Sequence, residues 1–196
     1  MPFRLNPSTR RVGENQVIMA PEVIVPDQCR ELVRLAEALP AADGRVEEGG
    51  VAPAYRTSTI RWIPRESVFV SLYEAIATAI FNLNQAYFGY DLTVVENMQF
   101  TTYVGEAKGF YEWHMDTGLN PPTDIARKLS LTVQLSDPAG YEGGDLELWA
   151  DRGPLIARKE QGLGILFPSP TLHRVQPVVR GTRHSLVAWA RGPRFR

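Results

Sequence analysis

His114 and Asp116 stand one residue apart in FYEWHMDTG, and His173 lies downstream in FPSPTLHRV. Side chains on an extended strand alternate with period two, so a His-x-Asp unit on a strand points both side chains to one face. Two metal ligands are thereby aimed at one point. A third ligand at His173 completes two imidazoles and one carboxylate, the facial set that holds non-haem Fe(II) and leaves the opposite face open for a cosubstrate and dioxygen. A lone His-x-Asp also arises by chance as an ordinary hydrogen-bonded contact. Arg183 lifts this one above that reading. It sits on the next apolar run, RHSLVAWARG, whose alternation puts Arg183, Ser185, Val187 and Trp189 on one face. An inward-facing arginine is unfavourable unless it meets an anion, and its planar fork suits a ligand carboxylate.

These residues need strands to carry them. From Asp91 onward, short β-branched and aromatic segments alternate with Gly and Pro turns: LTVVENMQFTTYVG, FYEWHMD, KLSLTVQLS, GDLELW, LGILFPS, LHRVQPVV and RHSLVAWA. Such spacing argues a β-sandwich or a closed double-stranded barrel. Upstream, a short strand is expected around Val17 to Val25. A helix then opens at Pro26 and Asp27, with Leu32, Leu35 and Leu39 near helical spacing. Residues 41 to 55 read as a mobile loop. One strand spans Arg56 to Ile63, and a helix runs from about Glu66 to Phe88. Helices that precede a β core commonly buttress one of its faces. The chain shows no internal repeat and no low-complexity segment.

At 196 residues the chain falls in the one-domain range and can bury a sizeable core. A formal net charge of −1 gives no electrostatic case for nucleic acid or an anionic membrane surface. The start, MPFRLNPSTRRVGENQ, lacks the apolar centre of a signal peptide, and no apolar run approaches a membrane span. Cys29 is the single cysteine, which excludes an intrachain disulfide and fits a cytoplasmic location. Its setting, PDQCRELVRLAEAL, is that of a packed helix position.

The order Tyr103-x-Gly105, His114-x-Asp116, the EGGDL turn from Glu142 to Leu146, His173 and Arg183 resembles the 2-oxoglutarate- and Fe(II)-dependent dioxygenases. It is most similar to their prolyl 4-hydroxylase branch and its bacterial relatives. The segment YRTSTIRWIP, Tyr55 to Pro64, resembles the arginine-x-serine stretch ahead of the catalytic core in prolyl hydroxylases. By motif order the resemblance spans about residues 16 to 193. It implies an α+β, mostly β chain whose core is a double-stranded β-helix (jelly-roll, cupin-like) with N-terminal supporting helices. A single domain would cover 1–196, with support over about 16–90 and core over about 91–193.

The resemblance also implies a reaction. Fe(II) held by His114, Asp116 and His173, with 2-oxoglutarate and O2, would hydroxylate an unactivated C–H bond and release succinate and CO2, with ascorbate as reductant. Arg183 would bind the C5 carboxylate of 2-oxoglutarate and Tyr103 would add a hydrogen bond to it. Trp189 would wall that site or simply pack in the core. Gln99 and Thr101 share the Tyr103 face. Arg56 and Ser58 match the substrate motif, against the alternative of a buried ion pair, and peptidyl proline is the leading substrate. A free amino acid or other small molecule stays open. So do same-fold halogenation, desaturation or demethylation, and a metal-binding jelly-roll without turnover. Asp116 argues against halogenation, because halogenases usually vacate the carboxylate position. Segments 41–55 and 118–127 are placed as lids. His184 should point away from the site, Arg180 should sit in a solvent-facing turn, and Glu142 and Asp145 should be architectural.

Overall fold

The computed structural model describes residues 16–43, 55–117, 125–150 and 153–194. The polar start and most of both expected lid segments lie outside them. The described chain runs β1 (Ile18–Ala20), α1 (Pro26–Glu37), β2 (Ala42–Asp43), β3 (Arg56–Thr57), β4 (Thr59–Trp62), α2 (Val70–Leu83), β5 (Val94–Val95), β6 (Gln99–Val104) and β7 (Phe110–His114). It continues with β8 (Ile125–Gln134), β9 (Tyr141–Gly143), β10 (Leu146–Ala150), β11 (Gly153–Ile156), β12 (Gly164–Pro168), β13 (His173–Val175) and β14 (Val178–Pro193). The strands make two antiparallel sheets. The major one has the order β1-β12-β8-β14-β6-β4-β2, with β5 and β9 added against β14, and the minor one the order β11-β10-β13-β7-β3. This is the mostly β, double-stranded β-helix architecture that the sequence implies.

Alternation along the central strands decides what each face of the major sheet does. On β8, Leu129, Leu131 and Val133 are buried toward the helices, while Ser130, Thr132 and Gln134 face the space between the sheets. β14 repeats this with Leu186, Ala188 and Ala190 on the helix side and Arg183, Ser185, Val187 and Trp189 on the inner side. The outer face is thus an apolar seat for two helices, and the inner face is polar enough to build a site.

α1 begins with Pro26, whose missing N–H is one a helix leaves unpaired anyway, and buries Cys29, Leu32 and Ala36 at helical spacing. α2 buries Ile76 and Ile80. The Tyr73 hydroxyl donates to the Ile63 carbonyl (2.8 Å) and accepts from the Met98 N–H (3.0 Å), tying α2 to the sheet. A second core cluster, including Leu148, Ile165, Phe167 and Val178, fills the space between the sheets and reaches the site at Tyr103, Leu146 and Val175.

Four local expectations change. β1 ends at Ala20 because Pro21 has no N–H for the ladder and Glu22 takes a positive φ of 51°. The single strand expected over 56–63 is two strands in different sheets: β3 pairs with β7 and β4 with β6, and the chain changes sheet at Ser58. The long helix opens in a 3-10 turn at Ser67–Phe69 and ends in a π turn at Asn84–Phe88. There the Asn84 side chain bonds the Tyr90 backbone in both directions, at 2.8 and 2.9 Å. Arg180 lies inside β14 rather than in a turn, although it is exposed, pairing with Glu142 at 3.2 Å. No helix among the described residues is long and apolar enough to cross a membrane.

Candidate metal centre

His114, Asp116 and His173 meet between the sheets, with one ligand atom from each lying within 4.8 Å of the others. His114 Nε2 stands 3.8 Å from one Asp116 oxygen and His173 Nε2 stands 3.6 Å from the other. Each histidine is fixed from behind in the same way. His114 Nδ1 lies 2.8 Å from the Glu112 carbonyl and His173 Nδ1 lies 2.9 Å from the Thr171 carbonyl. A carbonyl can only accept, so both Nδ1 atoms carry the proton and both Nε2 lone pairs face the cluster.

Burial, then the neighbouring His173, pushes the His114 imidazole down to about 4, which keeps it neutral and able to donate its lone pair near neutral pH. Burial alone would raise the Asp116 carboxyl. The two histidines, with the nearby Ser130 hydroxyl, outweigh it and hold the carboxyl below its ordinary value. The Trp189 indole N–H lies close enough to act in the same sense but does not reach hydrogen-bond geometry.

The convergence does not arise as strand alternation alone would have it. β7 ends at His114, and Asp116 lies beyond it, its N–H bonded to the Ser169 carbonyl at 2.9 Å. On β7, Glu112 and Trp113 stand between Tyr111 and His114, while only Arg174 stands between the partners His173 and Val175 on β13. This bulge brings Tyr111 and His114, three residues apart, to one face, with ring centroids 3.5 Å apart. Burial pushes the Tyr111 hydroxyl up to about 12, so it stays protonated.

The cluster opens into a cavity of about 280 Å³ that is also lined by Arg183, Tyr103, Gln99, Arg56 and Trp189. Arg183 is 1% exposed. It pairs across the sheet with Tyr103 and holds its guanidinium carbon 5.4 Å from that ring's centroid. Nη2 donates to Gln134, while Nε and Nη1 have no protein partner among the described residues. Two buried guanidinium nitrogens without partners, on a residue that lines the cavity, call for an anionic ligand. Trp189 lies under the Arg127 guanidinium (4.0 Å) and beside Trp62 (6.3 Å). It therefore walls the metal end of the cavity.

Arg56 reaches the cavity over the Tyr111 ring (4.5 Å), and its Nε donates to Ser58 at 2.7 Å. Ser58 itself lines a separate groove with Thr57, Thr59 and Gly109, so it acts on Arg56 rather than on the cavity. Gln99 donates to Thr101, which is fully buried and held off the cavity. His184 points away as expected, stacked on Phe100 (5.3 Å). Glu142 and Asp145 take part in ion pairs with Arg180 and Lys159. Sequence reading passed over Tyr111, Trp62, Arg127 and Gln134. The first is hidden by the bulge, and the others look like ordinary strand residues.

Two imidazoles, a carboxylate and a guanidinium that has no carboxylate partner among the described residues surround one cavity, a donor set able to take a metal and an anionic ligand together. Comparison with known proteins agrees. Residues 98–191 match the 2OG-Fe(II) oxygenase superfamily. A PKHD-type hydroxylase of Caulobacter vibrioides is 30% identical over 179 residues, covering 88% of this chain and 77% of that relative. Among solved structures, a Pseudomonas putida prolyl-4-hydroxylase superposes with a TM-score of 0.71 at 22% identity, covering 92% of this chain and 94% of that one. A Trichoplax adhaerens prolyl hydroxylase in complex with a hypoxia inducible factor oxygen degradation domain peptide fragment gives 0.70 at 18% identity, covering 90% and 83%. The chain belongs to the 2OG-Fe(II) oxygenase superfamily. It is a 2-oxoglutarate-dependent dioxygenase, of a family that uses Fe(II), 2-oxoglutarate and O2.

Proposed function

We propose that this chain, as a single catalytic domain, hydroxylates a prolyl residue within a peptide, with His114, Asp116 and His173 as the iron ligands and Arg183 and Tyr103 as the binders of the 2-oxoglutarate C5 carboxylate. The observation that carries the reading is the pairing of two Nε2 lone pairs and one carboxylate with the buried Nε–H and Nη1–H of Arg183, all lining one cavity. Iron bound with 2-oxoglutarate and O2 would supply the oxidising power to hydroxylate an unactivated C–H bond, yielding succinate and CO2.

The chain's own residues do the rest. The Nδ1–carbonyl bonds hold each imidazole in the ligating tautomer, and Asp116 contributes the charge that offsets a divalent ion. Arg183 and Tyr103 fix the far end of the cosubstrate from the inner sheet face. Arg56, braced by Ser58, and Gln99 line the cavity with polar groups suited to a peptide backbone. The peptide complex of the Trichoplax relative supports this substrate class.

The test is an anaerobic titration of Fe(II) into metal-free protein with 2-oxoglutarate, following the visible charge-transfer band. The band should be absent in His173→Ala and should need more cosubstrate in Arg183→Ala. Failure of a band to form with folded wild-type protein overturns the ligand assignment. Assays with proline-containing peptides, free amino acids and ascorbate as reductant then identify the substrate by succinate release and a product gain of one oxygen.

A further inference from the structure

Gln134 ends β8, paired with Ser185 of β14, one strand position along from Arg183 on the same face. Its side-chain Oε1 accepts from Arg183 Nη2 at 2.9 Å, and its Nε2 donates to the backbone carbonyl of Arg158 at 3.3 Å. The guanidinium can only donate and the carbonyl can only accept, so one amide orientation satisfies both. Buried arginines are commonly neutralised by a carboxylate. Arg183, one of the largest fully buried side chains, has no carboxylate salt-bridge partner among the described residues and bonds instead to this neutral amide.

We propose that Gln134 is a positioning residue for Arg183: an uncharged acceptor that fixes the plane of the guanidinium fork while leaving its whole charge for the cosubstrate's distal carboxylate. A carboxylate at position 134 would hold the fork equally well but would compete with the ligand as an internal anion. The amide of Gln134 therefore helps set selectivity for a dicarboxylic 2-oxo acid. This rests on the reading of Arg183 as the binder of that carboxylate.

Calorimetric titration of the Mn(II)-loaded protein tests it without turnover. The ligands are 2-oxoglutarate and 2-oxopentanoate, which has the same carbon chain without the distal carboxylate. Gln134→Glu should weaken 2-oxoglutarate by at least about 30-fold. It should leave 2-oxopentanoate nearly unchanged and should not lower the melting temperature. Gln134→Met keeps the charge but frees the fork, and should lower the preference for 2-oxoglutarate by about 3- to 10-fold. Should Gln134→Glu not fold, that smaller loss of preference decides.

Arg183→Ala separates the two claims. If it weakens 2-oxoglutarate while both Gln134 variants bind it like wild type, the role of Gln134 is overturned and that of Arg183 stands. If Arg183→Ala binds 2-oxoglutarate normally, the reading of Arg183 falls and takes the inference with it. Equal weakening of both ligands together with a lower melting temperature marks Gln134 as merely structural and also overturns the inference.

Discussion

Burial keeps the His114 imidazole neutral, with a lone pair free to ligate, but at Cys29 and His184 it silences the group. Cys29 is fully buried on α1, and burial pushes its thiol up to about 11. It should resist alkylation in the folded protein at pH 8 and react once the chain is unfolded, which mass spectrometry after iodoacetamide checks. His184 is held below its ordinary value of 6.5, mainly by burial. The unfolded chain therefore binds the proton first, and stability falls as pH drops below about 6.5 toward the folded value. Denaturant midpoints of the metal-free protein should decline from pH 7 to pH 5, and less steeply in His184→Gln. At this scale the candidate cluster of His114, Asp116 and His173 and the inward Arg183 were legible because their residue types fall in one motif order along predicted strands. Gln134 was not, since an amide on a strand carries no signature until its two partners are seen.

Among the elements, the bulge on β7 and the EGGDL turn do most to shape the cavity. Gly144 takes a φ of +62°, and a Cβ there would meet Arg183 Cδ and Val178 Cγ2, each at 2.9 Å. Gly144→Ala should therefore cost about 1–3 kcal/mol of stability. It should also weaken 2-oxoglutarate several-fold by displacing the arginine, a combination that denaturation and ligand titration would reveal together. The turn is otherwise pinned by Lys159, which donates to the Gly143 carbonyl at 2.7 Å and pairs with Asp145 at 2.9 Å. Strand content was readable from alternating segments such as KLSLTVQLS. The change of sheet at Ser58 was not, because no Gly or Pro interrupts Arg56 to Trp62 and only pairing partners distinguish β3 from β4. The bulge was hidden likewise, since an extra residue on one strand shows only against its neighbour.

For the molecule as a whole, ligands that bind only the folded state must stabilise it. Mn(II) with 2-oxoglutarate at about 100 times its Kd adds about 2.7 kcal/mol, which for a domain this size is a rise of roughly 5–10 °C in melting temperature. Differential scanning fluorimetry should show that rise in wild type and not in His173→Ala. The whole architecture also hinges on one strand. β14 pairs with β5, β6, β8 and β9, yet it follows all of them in the chain, and Arg183 must find Tyr103 across most of the intervening sequence. Neither β6 nor β8 has its central partner until then. Folding is thus governed by long loop closure, in the slow range of millisecond-to-second β proteins. The strand that carries the buried Arg183 is also the one on whose arrival sheet closure waits.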